Sequence, residues 1–97
     1  MDELYFLDAQ THNKQERITA FGGDYESLTK DFRDWVTSKH LTPKDIWYAD
    51  IFEHISKNQE RHIFSLKLLE SGEIEVRTPL KPVKNAYRRG NKLFHLR

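Results

Sequence analysis

Apolar and polar residues change period along this chain, and the changes mark its elements. Residues 3 to 9 (Glu-Leu-Tyr-Phe-Leu-Asp-Ala) form a short apolar run that ends in the polar cluster Gln10 to Glu16. Residues 17 to 21 form a second run, broken by Gly22-Gly23. Short apolar runs between turn residues predict strands, here an opening hairpin. From Tyr25 the period lengthens: Tyr25, Leu28, Phe32, Trp35 and Val36 recur at three- and four-residue steps and share one face of a helix. Asp24 is placed to cap its first turn, Glu26 favours the positive end of its dipole, and Lys39 and His40 stand near the negative end. The spacing predicts a helix over 25–39.

Thr42-Pro43-Lys44-Asp45 then reads as a capping box with proline at the first helical position and Asp in place of the usual Glu or Gln. It predicts a second helix whose apolar stripe is Trp47, Tyr48, Ile51, Phe52 and Ile55 and whose polar stripe is Asp50, Glu53, His54 and Lys57. Propensity points the other way, because Ile, Trp, Tyr and Phe favour strands, and 46–55 would then pair with the next strand across Lys57 to Glu60. Residues 61–69 and 73–78 alternate with period two around Glu70-Ser71-Gly72 and predict a hairpin. Pro79 and Pro82 take the chain out of the ladder. Arg88 to Asn91 reads as a turn, followed by a closing strand with Leu93, Phe94 and Leu96. The fold class expected is α+β, two helices packed on a mostly antiparallel sheet in the order ββααβββ.

Length and composition set the scale. At 97 residues with no Pro/Gly/Ser-rich linker, the chain is expected to form a single compact domain over 1–97. Twelve aromatic residues supply much of a small core. Cysteine is absent, which excludes disulfides, a thiol nucleophile and thiolate metal sites. Neither a secretory signal nor an apolar run long enough for a membrane span is evident, and the expected location is the cytoplasm, with no membrane partner.

Charge changes the picture more. Residues 1–55 carry six basic and eleven acidic side chains, and residues 56–97 carry ten and four, so the net +1 hides a dipolar molecule. Seven of the cations fall between Arg77 and Arg97, where there is no Asp or Glu. The basic C-terminal segment 77–97 contains Arg77, Lys81, Lys84, Arg88, Arg89, Lys92 and Arg97, with Tyr87, Phe94 and His95 among them. Cations displace the counterions of phosphates and aromatic faces stack on unpaired bases, so this mixture suits nucleic acid, or else an acidic protein face. Arg77, Lys81, Lys84, Tyr87, Arg88, Arg89, Lys92, His95 and Arg97 are the candidate partner-binding residues. The competing reading of such a run is a solvated basic edge that keeps a strand from pairing with other chains.

No catalytic, metal or cofactor signature accompanies the charge. The histidines at 12, 40, 54, 62 and 95 match no metal motif, and Asp50 with His54, four apart on the predicted second helix, supplies only two ligands. Gly22-Gly23 lacks the residues of a phosphate loop. No metal and no small-molecule cofactor is therefore expected. Gly72-Glu73-Ile74-Glu75-Val76-Arg77 with Ala86-Tyr87-Arg88, in the predicted element order, resembles the C-terminal half of bacterial RelE-class ribonuclease toxins. That resemblance implies Arg77, Tyr87, Arg88 and His95 as phosphate-contacting and acid-base residues. Size and charge separation also suit a small inhibitor of the immunity-protein or antitoxin kind, which covers a partner's active surface. The reading carried forward is a non-enzymatic binding protein that engages a polyanionic partner through the basic C-terminal segment.

Overall fold

The computed structural model of the chain describes residues 4–56, 59–80, 87–89 and 92–94. Strands β1 (Tyr5–Thr11) and β2 (Arg17–Gly22) are followed by helix α1 (Tyr25–Ser38), a 3₁₀ turn (Pro43–Asp45), and strands β3 (Ile46–Ser56), β4 (Gln59–Leu68) and β5 (Ile74–Arg77). These strands form one antiparallel sheet in the order β2-β1-β3-β4-β5. Two short strands, β6 (Tyr87–Arg89) and β7 (Lys92–Phe94), pair separately.

Helix α1 begins and ends for local reasons. The Asp24 carboxylate accepts from the Ser27 amide at 2.8 Å and satisfies a first-turn donor. At the other end His40 takes the left-handed conformation (φ 55°). Its amide bonds to the Thr37 carbonyl and the Leu41 amide to Val36, which closes a Schellman motif without the usual glycine. Between the caps, Leu28, Phe32, Trp35 and Val36 are buried against Leu7 and Ala9 of β1, Ala49 and Ile51 of β3, and Leu66 and Leu68 of β4. Burying a side chain such as Leu28 or Phe32 contributes about 1.5–3 kcal/mol before entropy is counted. The predicted helix, the opening hairpin and the β4–β5 hairpin all form, the last turning at Gly72 with φ 92°.

The predicted second helix does not form, and the order ββααβββ is corrected to one helix on a five-stranded sheet. Thr42 and Asp45 do engage, the Asp45 carboxylate accepting from the Thr42 amide at 2.8 Å and from its hydroxyl at 3.0 Å. That cap opens only a single 3₁₀ turn. Two β-bulges explain the false helical period. Gln10 pairs with Tyr48 and Thr11 with Ile46, so Trp47 is an extra residue; His54 pairs with Glu60 and Ser56 with Gln59, so Ile55 is another. Each bulge shifts the strand's alternation by one residue. Tyr48 to Phe52 are moreover buried without a break, since β3 is the central strand, so apolar residues fall on both of its faces. Strand propensity, the dissenting signal, was the better guide to this segment.

On the second sheet face, away from α1, Phe6 packs against Phe21 and Phe52, and Phe52 against His62. Asp8, Asp50, Ser65 and Lys67 share that face through the register of β1, β3 and β4. Among the described residues, no helix is long and apolar enough to cross a membrane.

Candidate binding surface

Of the partner-binding residues expected from sequence, Arg77 alone has a described side chain. It closes β5, about half exposed, with its guanidinium on Glu75 two residues earlier. Its pairing with a strand neighbour leaves guanidinium donors for other acceptors. Tyr87, Arg88 and Arg89 form β6 and Lys92 opens β7, with Arg89 opposite Lys92 and Tyr87 opposite Phe94 in register. The expected turn at 88–91 is thus partly strand. Lys81, Lys84, His95 and Arg97 lie outside the described residues.

Sequence reasoning missed a buried polar network on the second sheet face. Asp8 accepts from Arg17 Nε at 2.9 Å and from the Tyr48 hydroxyl at 3.1 Å, and the same hydroxyl lies 3.1 Å from Gln10 Oε1. Burial works against the Arg17 charge, but the hydrogen bond and attraction from Asp8 outweigh it and hold the guanidinium above its ordinary pKa. Asp50, opposite Asp8, accepts from the Ser65 hydroxyl at 3.2 Å and lies 3.2 Å from His62 Nε2, which is itself 3.0 Å from Ser65 Oγ. Burial pushes the His62 imidazole below its ordinary value, against a backbone hydrogen bond with Phe64 that pulls the other way. Desolvation thus disfavours the charged form of His62, whose ring sits within hydrogen-bond reach of both Ser65 and Asp50.

Ser, His and Asp together invite a nucleophile reading, which the geometry does not support. In a catalytic triad the hydroxyl and the carboxylate engage opposite ring nitrogens. Here both converge on Nε2, and the His62 and Asp50 side chains are only 3 % and 4 % exposed. The triangle fits a role in tying β3 to β4. Asp50 and His54 do not share a helix face, since 46–56 is strand, and Asp50 meets His62 across the strands. Among the described residues, no three His, Asp or Glu side chains are placed to hold a metal.

The network borders an open cleft of about 350 Å³ lined by Pro43, Ile46 to Asp50, Ser65 to Leu68 and Arg77. Trp47 stands at its edge, turned outward by its bulge and 39 % exposed rather than in the core expected from sequence. His12 stacks on its indole and Lys14 Nζ lies 5.4 Å from the ring centroid. The exposed Trp47 lines the same cleft as Lys67 and Arg77. Its sequence signal was the count of twelve aromatic residues in a chain of only 97. No protein-family model, curated protein or solved structure matches this chain.

Proposed function

We propose that this is a non-enzymatic binding protein whose basic C-terminal segment, Arg77 to Arg97, engages a polyanionic partner. The observation that carries the reading is the run of seven cations without an acid in that segment, against a net −5 over residues 1–55. Such an asymmetry speeds and orients encounter with an oppositely charged surface. The convergence of Ser65 and Asp50 on one nitrogen of a buried His62 lacks the geometry of a catalytic triad and so gives no support to nucleophilic chemistry at the described face. The resemblance to ribonuclease toxins depended on a two-helix order that the chain does not adopt, so the ribonuclease reading loses that support.

The test is a salt titration of binding to fluorescein-labelled single-stranded RNA and to labelled poly-glutamate. With all seven cations on phosphates, RNA affinity falls about 10³-fold between roughly 50 and 200 mM salt. Affinity for both probes that does not change with salt contradicts the proposal.

A further inference from the structure

The two edges of the sheet are built differently. β5 has four residues, carries Glu75 and Arg77 and is followed by Pro79, and shortness, charge and proline are the means by which proteins keep an edge from pairing. β2 has six residues, Arg-Ile-Thr-Ala-Phe-Gly, with no lysine or proline, and it pairs with β1 from Tyr5–Gly22 to Gln10–Arg17 without a bulge. Its one charge, at the first residue, is held by Asp8.

Two bonds fix which main-chain groups of β2 face outward. The Thr11 amide bonds to the Glu16 carbonyl at 3.1 Å, and bonded pairs alternate along an antiparallel ladder, so Ala9–Ile18, Leu7–Ala20 and Tyr5–Gly22 are the bonded pairs. The His54 amide bonds to Leu4, which turns the even-numbered residues of β1 to β3 and the odd-numbered ones to β2, in agreement. Arg17, Thr19 and Phe21 therefore direct their amides and carbonyls away from β1. All three residues are exposed. Among the described residues no strand lies beyond them, and no main-chain bond outside the ladder engages Arg17 or Thr19.

We propose that β2 is the contact edge of a homodimer, in which a second copy of this chain adds its own β2 antiparallel about a two-fold axis at Thr19 and joins the two sheets into one. A copy fits because the strand complements itself in that register. Thr19 meets Thr19 of the second copy with main-chain bonds exchanged in both directions, and paired threonines favour a sheet. On the helix side Ile18 meets Ala20 of the second copy, large against small. On the second face Arg17 stands opposite Phe21 of the second copy, whose ring is 40 % exposed, so no charge meets its like and a cation can lie over an aromatic face. One strand is a small contact for a protein interface, so the association is weak and is seen at high concentration. It uses no residue of the basic C-terminal segment and stands independently of it.

The experiment is sedimentation equilibrium of the full chain up to about 1 mM, where weak dimers are populated, with circular dichroism confirming the fold of each variant. The wild type is expected to self-associate to a dimer. Thr19→Pro removes only an outward amide, so the β1–β2 ladder keeps its bonds while the dimer loses those the two amides donate and weakens about tenfold or more. Thr19→Lys sets like charges across the axis and should weaken the dimer about fivefold; it carries the test should the proline variant fail to fold. Val76 faces outward on β5, by the Leu69–Glu73 bond and the ladder it begins, and Val76→Lys should leave association unchanged. A wild type that stays monomeric to about 1 mM would overturn the proposal. So would a dimer undiminished in a folded Thr19 variant, or one weakened as much by Val76→Lys.

Discussion

Asp8 and Asp50 stand opposite each other across the β1–β3 ladder, 0 % and 3 % exposed. Like charges at directly opposed positions destabilise a sheet, and a buried carboxylate is tolerated only among hydrogen-bond donors and cations. Arg17 and Tyr48 serve Asp8, and Ser65 and His62 serve Asp50, so the two acids make the side chains around them structurally necessary.

Removing a donor from either acid should therefore cost stability. Arg17→Met is expected to lower unfolding free energy by about 1–2 kcal/mol, the range for a hydrogen bond to a charged group reduced for the exposure of the Arg17 side chain. Ser65→Ala should cost about 1 kcal/mol. Urea denaturation measures both, and wild-type stability in both variants would refute the assignment.

His62 gives stability a pH dependence whose sign is fixed. Unfolded, its imidazole takes up a proton near the ordinary value of 6.5; folded, burial delays uptake to lower pH. Between those two values the unfolded state binds more protons, so this contribution is intact above 6.5 and is lost as pH falls through the folded value. In His62→Gln that part of the slope disappears. Denaturation midpoints of the two proteins between about pH 7.5 and 4.5 should converge toward the acid end, and a constant difference contradicts the account.

The ends of α1 offer two changes of opposite sign. Asp24→Ala removes the acceptor of the Ser27 amide and should destabilise by about 1 kcal/mol, or roughly 4–8 °C in Tm. His40→Gly relieves a left-handed residue and should stabilise by up to about 1 kcal/mol. Thermal unfolding followed by circular dichroism distinguishes the signs.

Gly72 has φ 92°, and a Cβ placed there meets no atom within 4 Å. Gly72→Ala should thus cost only its conformational strain, about 1 kcal/mol, with the β4–β5 register unchanged. A register change seen in cross-strand nuclear Overhauser contacts would show that the turn, not the pairing of Leu66 with Val76 and Leu68 with Ile74, sets this hairpin.

Elements whose signals are local were legible in the sequence. Asp24 and the Tyr25-to-Val36 spacing located α1, and Gly72 between alternating runs located the β4–β5 hairpin. Residues 46–56 were legible as strand through residue propensity but not through periodicity, because the bulges at Trp47 and Ile55 disguise a period of two as a period near four. Burial on both faces of β3 removed the polar alternation that marks an outer strand. The Asp50–His62 contact was hidden for the same reason, since its partners meet only once β3 and β4 pair. Charge in the C-terminal segment needs no fold to be read, but which surface it forms is not written in composition.

The central claim is tested most directly by charge reversal in the basic segment. Binding of labelled single-stranded RNA and of labelled poly-glutamate should be measured at low salt for the wild type and for Arg88→Glu/Arg89→Glu, with circular dichroism confirming a common fold. The account predicts that the wild type binds at least one probe and that the double variant loses at least about tenfold in affinity. Equal affinity in the two proteins, or no binding of either probe by the wild type, would contradict it.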